Sequence, residues 1–148
     1  MSWQANVDGL VGTNKVSQGA IVNIGKKDLE AASEGFTLKT HTVKLTNELD
    51  EKVDAEVNEM DVVLQMPEKK GMLPSPPGIW MNGKVYHLID YRDDVDTAYL
   101  KTDKGGACVV KTNKLIIIGI WSEDAKQNGG DCNDAVERLA ENFKNSGY

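Results

Sequence analysis

The chain has 148 residues, a formal net charge of −6, 40% hydrophobic and 27% charged residues. That length suits one compact domain whose core needs no staples. The longest apolar run, Leu115 to Trp121, is too short to cross a membrane, no secretory leader follows Met1, and two cysteines, Cys108 and Cys132, make no disulfide framework. A reducing cytosol is therefore expected. The charge is uneven: eight acids and one lysine lie between Asn47 and Glu68, and the remainder is close to neutral. No basic face of the kind that holds nucleic acid is present.

Ser2 suits the N-cap of a short helix with Trp3, Val7 and Leu10 on one face and Gly12 at its end. Ala20 to Gly25 reads as a strand, and Leu29 to Phe36 as a second, weaker one. Thr46 to about Met60 is polar and acidic, without Gly or Pro. With Leu49, Val53 and Val57 four residues apart, it is expected to be a solvated helix. Val62 to Met66 fits helix or strand. Pro67 to Pro77 reads as a loop, with Leu73–Pro77 extended as polyproline.

Asn82-Gly83, between Ile79–Met81 and Lys84–Ile89, is the strongest hairpin signal, because Asn-Gly supplies both positive φ angles of a type I′ turn. Strands are expected at Thr97–Thr102, Ala107–Thr112 and Leu115–Trp121, the last apolar on both faces and therefore central. Asp131 to Asn145 reads as a helix with Asp131 as N-cap. Its apolar stripe is Cys132, Val136, Leu139 and Phe143, it carries an Asp134–Arg138 pair, and Gly147 stops it. A sheet with terminal helices on one face is the economical packing.

No chemistry-bearing motif stands out. His41 and His87 lack metal-spaced partners, and no Cys-x-x-Cys, Walker or other phosphate loop occurs. No metal, cofactor or catalytic group is expected, and the chain does not read as an enzyme. Asp90–Asp96 reads as a solvated hairpin loop rather than a calcium loop. Lys101, Lys104, Lys111 and Lys114 read as strand-edge charges or as a basic face for an acidic protein or phosphoinositide headgroups. Trp3 and Tyr148, at opposite ends of the sequence, fit an aromatic slot between two terminal helices, a surface type that takes polyproline.

Taken together, the chain resembles the profilin family. Met1-Ser2-Trp3-Gln4 with Val7-Asp8 looks like its N-terminal helix, Ala20-Ile21-Val22 its first strand, and Gly78 to Tyr86 its central hairpin. Gly105-Gly106 with Lys111 to Trp121 is the most specific match. Cys132-Asn133 with Val136 to Leu139, and then Gly147-Tyr148, is similar to its last helix. The resemblance implies an α/β (α+β) profilin-like fold over 1–148: a central antiparallel sheet, both terminal helices on one face and shorter helical elements on the other. Residues 47–73 would be an acidic helix/loop insertion.

The resemblance also implies a cytoplasmic, cytoskeletal monomer. It would bind monomeric actin, promote its nucleotide exchange, suppress nucleation and deliver monomers to filament ends. Proline-rich proteins such as formins, and phosphoinositides, are further implied partners. The actin-facing positions correspond to Lys84, Val85, His87, Lys101, Lys104, Gly130, Asn133 and Arg138. Asp90 and Asp134 fall where some members carry a base. The polyproline slot corresponds to Trp3, Asn6, Asn142, Phe143 and Tyr148. Asn6 and Asn142 replace aromatic or histidine positions, and Glu30 falls near an expected tryptophan. Losing two aromatic anchors at about 2 kcal/mol each weakens binding roughly a thousandfold, so proline binding is expected to be weak. The alternative role is a signalling adaptor of the same fold that reads proline motifs or phosphoinositides without actin.

Overall fold

The computed structural model describes residues 2–74 and 76–148. The Ser2 hydroxyl oxygen accepts from the Ala5 N–H at 3.2 Å and starts helix α1 (Trp3–Gly12), which buries Val7 and Leu10. Strands β1 (Gln18–Asn23) and β2 (Asp28–Ala32) follow. β2 stops short of the expected Phe36, which is buried beyond the strand.

The solvated helix expected over Thr46–Met60 does not form. Strands β3 (Thr40–Thr46) and β4 (Lys52–Asn58) instead make a separate two-stranded antiparallel ribbon. His41, Val43 and Leu45 stand opposite Val57, Ala55 and Val53, an alternation of period two. The four-residue spacing of Val53 and Val57 fits a helix face but is also two strand periods. Turn chemistry settles the choice. Asn47 Oδ1 accepts from the Leu49 and Glu51 N–H groups, both at 2.9 Å, and Asp50 takes φ 59°.

Helix α2 (Glu59–Glu68) begins directly after β4, capped by Asn58, and takes in Val62–Met66. Pro67, expected in the loop, lies inside its last turn. The Leu73–Pro77 stretch, expected as extended polyproline, includes Ser75, which lies outside the described residues.

Strands β5 (Ile79–Met81) and β6 (Lys84–Arg92) form the expected hairpin, with Asn82 at φ 52° and Gly83 at φ 77°. Then come β7 (Thr97–Thr102), β8 (Gly105–Lys111) and β9 (Leu115–Ser122). Helix α3 (Gly129–Asn145) closes the chain. Its N-cap is Asn128, not Asp131: Asn128 Oδ1 accepts from the Asp131 N–H at 2.9 Å, so Asp131 sits in the first turn. Among the described residues Asp134 and Arg138 form no ion pair.

The main sheet has the order β2-β1-β9-β8-β7-β6-β5, antiparallel throughout. β9 is therefore an interior strand, third of the seven and next to the middle strand β8, as its apolar composition requires. Each sheet face is sealed by its own cluster. On one, Val22, Val109, Ile116 and Ile118 pack with Val63 and Met66 of α2. On the other, Ile21, Cys108, Val110 and Ile117 pack with Val7 and Leu10 of α1 and Cys132, Val136 and Phe143 of α3. Gly119 lets α3 press against β9, because a Cβ there would overlap the Val136 side chain. The terminal helices thus share one face and α2 the other, as expected.

Candidate functional site

α3 packs over β8 and β9 and leaves β6 and the adjoining part of β7 uncovered on its face of the sheet. Several candidate residues meet there. His87 and Lys101 are direct cross-strand partners and share a face. The Lys101 ammonium lies 5.1 Å from the Trp121 ring centroid and donates to Thr102 O at 2.9 Å and Gly105 O at 3.0 Å. It also stands 3.5 Å from Glu123. The cation is thus positioned over an aromatic ring rather than swinging free.

Gly129 rests against that same Trp121 ring, so α3 begins at the ring that Lys101 covers, with Gly130 next in the chain and Asn133 one turn further on. Lys84 is not among the residues that meet there: it alternates with Val85 and His87, shares the face of Tyr86, and lines with Lys104, Tyr86 and Ile120 a hollow of about 260 Å³ on the α2 side. Val85 is half-buried at the start of β6.

Arg138 is the exception. It lines a groove between α1 and α3 with Asn6, Leu139 and Asn142, on the other side of α3. Asp134 lines that groove too. Of the two acids set against an actin match, only Asp90 lies on the uncovered face, opposite Tyr99.

Sequence reasoning missed Tyr99, Trp121 and Glu137 on this face. The Tyr99 hydroxyl donates to the Glu137 carboxylate. Burial, and then that carboxylate, push the phenol well above its ordinary range. The signal was available for Tyr99, two residues from Lys101 on a strand and hence on the same face.

The slot residues do come together. Trp3 and Tyr148 meet edge to face with ring centroids 5.1 Å apart, and Phe143 lies 5.6 Å from Trp3. Phe143 is only 2% exposed, so it backs the slot rather than lining it. Tyr148 is pinned: its N–H donates to Phe143 O at 2.9 Å, and its main-chain oxygen accepts from Lys114 N at 2.7 Å and Thr112 Oγ1 at 2.9 Å. Asn6 and Asn142 line the adjoining groove of about 270 Å³. Glu30 accepts from Asn23 Nδ2 at 2.9 Å and pairs with Lys26 at 3.5 Å.

The four lysines do not form one patch. Lys101 and Lys104 flank the start of β8, and Lys111 and Lys114 its end, about 20 Å away at strand rise. Lys114 instead lies over the Tyr148 ring at 5.8 Å. Both cysteines are fully buried and free. Burial pushes the Cys132 thiol from 9.0 to about 12, and burial and then Cys132 push Cys108 well upward. Neither is a reactive thiol. Among the described residues no group of three or more His, Cys, Asp or Glu could hold a metal ion, and no helix is long and apolar enough to cross a membrane.

Comparison with known proteins is consistent with this geometry. The chain is similar to a profilin of Tetrahymena pyriformis, 32% identical over 156 aligned positions covering 99% of this chain and 98% of the relative. Acanthamoeba castellanii profilin II superposes with a TM-score of 0.75 at 27% identity, over 99% of this chain and 100% of that one. Two more distant structures share the fold. Mouse profilin IIa in complex with a double repeat from the FH1 domain of mDia1 gives a TM-score of 0.68 at 17% identity, with all of both chains covered. LokiProfilin2 in complex with rabbit actin gives 0.66 at 11%, covering 95% of this chain and 94% of that one. The profilin family model matches residues 1–148, and the chain belongs to the profilin family, whose members regulate actin by binding rather than by catalysis.

Proposed function

We propose that this chain binds monomeric actin in the cytoplasm through the uncovered face of β6 and β7 together with the first turns of α3. The observation that carries the reading is the Lys101 ammonium held over Trp121, beside His87 and the start of α3. A positioned cation, with Lys104 in the next turn, suits an acidic partner. Binding there would sequester monomers, promote nucleotide exchange and deliver monomers to filament ends. Proline-rich segments would bind at Trp3 and Tyr148, weakly, because the structure leaves two aromatic rings to line the slot.

The test is spontaneous polymerisation of fluorescently labelled actin with this protein in rising molar excess. The lag lengthens with dose. Lys101→Glu weakens the effect about tenfold, or about 1.4 kcal/mol, whereas Arg138→Ala, on the other side of α3, leaves it within about twofold. Equal loss with both variants would move the contact to the α1–α3 side. No lag with wild-type protein at any dose would overturn the reading.

A further inference from the structure

The ribbon β3–β4 carries most of what the actin reading leaves unused. Among the described residues β4 pairs only with β3, so its outer edge offers unpaired N–H and C=O groups, a template for another strand. Natural edges are usually blunted by lysine or proline. Among the described residues β4 has one lysine, Lys52 at its start, and no proline; beyond it the exposed side chains include Glu56 and Asp54, the latter paired with Lys44 of β3.

Beside it lies a cleft of about 340 Å³, walled by Val57, Val62, Leu73 and Pro77, with Glu56 and Asp61 among its lining. Among the described residues neither carboxylate forms an ion pair. Apolar walls with a carboxylate rim suit a long basic side chain, its methylenes against the walls and its charge at the rim. The ribbon face opens outward in the same sense: Val57 is 2% exposed, Val53 39%, and Leu49 at the tip 76%.

We propose that β4 is a docking edge for a basic, extended segment of a partner protein. The segment adds as a third strand to the ribbon, with one lysine or arginine side chain seated in the cleft between β4 and α2. Alternate apolar side chains lie over Val53 and Ala55, giving the alternation that strand addition reads. The Glu48, Asp50 and Glu51 turn extends the same charge preference and disfavours acidic segments.

The probe is a fluorescein-labelled peptide of about ten residues alternating lysine and valine, followed by anisotropy. Two controls have the same length: glutamate alternating with valine, and lysine alternating with glycine and serine. The lysine–valine peptide binds the wild-type protein at least tenfold more tightly than either control. Glu56→Lys with Asp61→Lys removes at least tenfold of that affinity, while the actin lag is retained. Hydrogen exchange slows at β4 amides in the complex. Both substitutions are at exposed positions, and an unchanged thermal midpoint excludes unfolding. Equal binding of the lysine–glycine–serine peptide would mean nonspecific charge attraction and overturn the proposal. So would unchanged exchange at β4, or binding that survives the charge reversal.

Discussion

The ribbon and the main sheet are both antiparallel, yet they are stabilised by different means. Strands β1, β8 and β9 are buried on both faces and pack against three helices. The ribbon has one half-covered face and joins the body through a polar knot. Glu59, only 1% exposed, accepts from Lys39 N at 3.0 Å, His41 Nε2 at 3.0 Å and Gly83 N at 2.9 Å. His41 also meets Trp80 edge-on, with ring centroids 5.2 Å apart. One carboxylate thus holds the ribbon, α2 and the β5–β6 turn together. The main sheet depends on area and fit, whereas the ribbon's base depends on three hydrogen bonds to a single buried carboxyl group.

The largest expected effect tests the sheet. Gly119→Val forces a side chain into the contact between β9 and α3, and unfolding free energy should fall by about 3 kcal/mol or more. A denaturant melt within about 0.5 kcal/mol of wild type would mean α3 can ride outward freely. Next comes the knot. Glu59→Ala leaves three donors without their partner and should cost about 2–3 kcal/mol. Amide exchange should accelerate in β3 and β4 before it does in β8 and β9. Uniform acceleration would show that ribbon and sheet open as one unit.

A third comparison separates the regions by pH. Burial, and then Glu59, raise the Tyr86 phenol from 10.0 to about 12, and burial raises Cys132 from 9.0 to about 12. Both keep their protons longer when folded. Their stabilising contribution is complete below pH 9, and it is lost as pH climbs through the interval between unfolded and folded values. The thermal midpoint should therefore fall between about pH 9 and pH 12. In the same range exchange protection should fall in β6 and α3, which carry Tyr86 and Cys132, before it falls in the ribbon. A flat midpoint across that range would remove burial as the cause.

Legibility in the sequence followed the same division. β9, the Asn82-Gly83 hairpin and both terminal helices could be read because local signals and tertiary demand agree there. The ribbon could not. Val53 and Val57 satisfy both periods, and the decisive partners, His41, Val43 and Leu45, lie across a turn that only Asn47 and Asp50 announce. Glu59 was hidden among eight acids between Asn47 and Glu68, because burial, not composition, sets it apart. At the site, residue types marked His87 and Lys101, but only the fold shows that Arg138 and Asp134 face away from them.

The isoleucines of β9 carry one more consequence. Ile116 and Ile118 face one core, and Leu115 and Ile117 the other. A slip by one position against β1 and β8 would exchange these sets, with isoleucine replacing isoleucine at little loss of burial. Hydrophobicity alone therefore gives this strand no address. Gly119 supplies it: after such a slip an isoleucine would stand under Val136, where only a hydrogen fits. The smallest residue in the strand acts as its alignment mark, and the register of β9 against β1 and β8 depends on it.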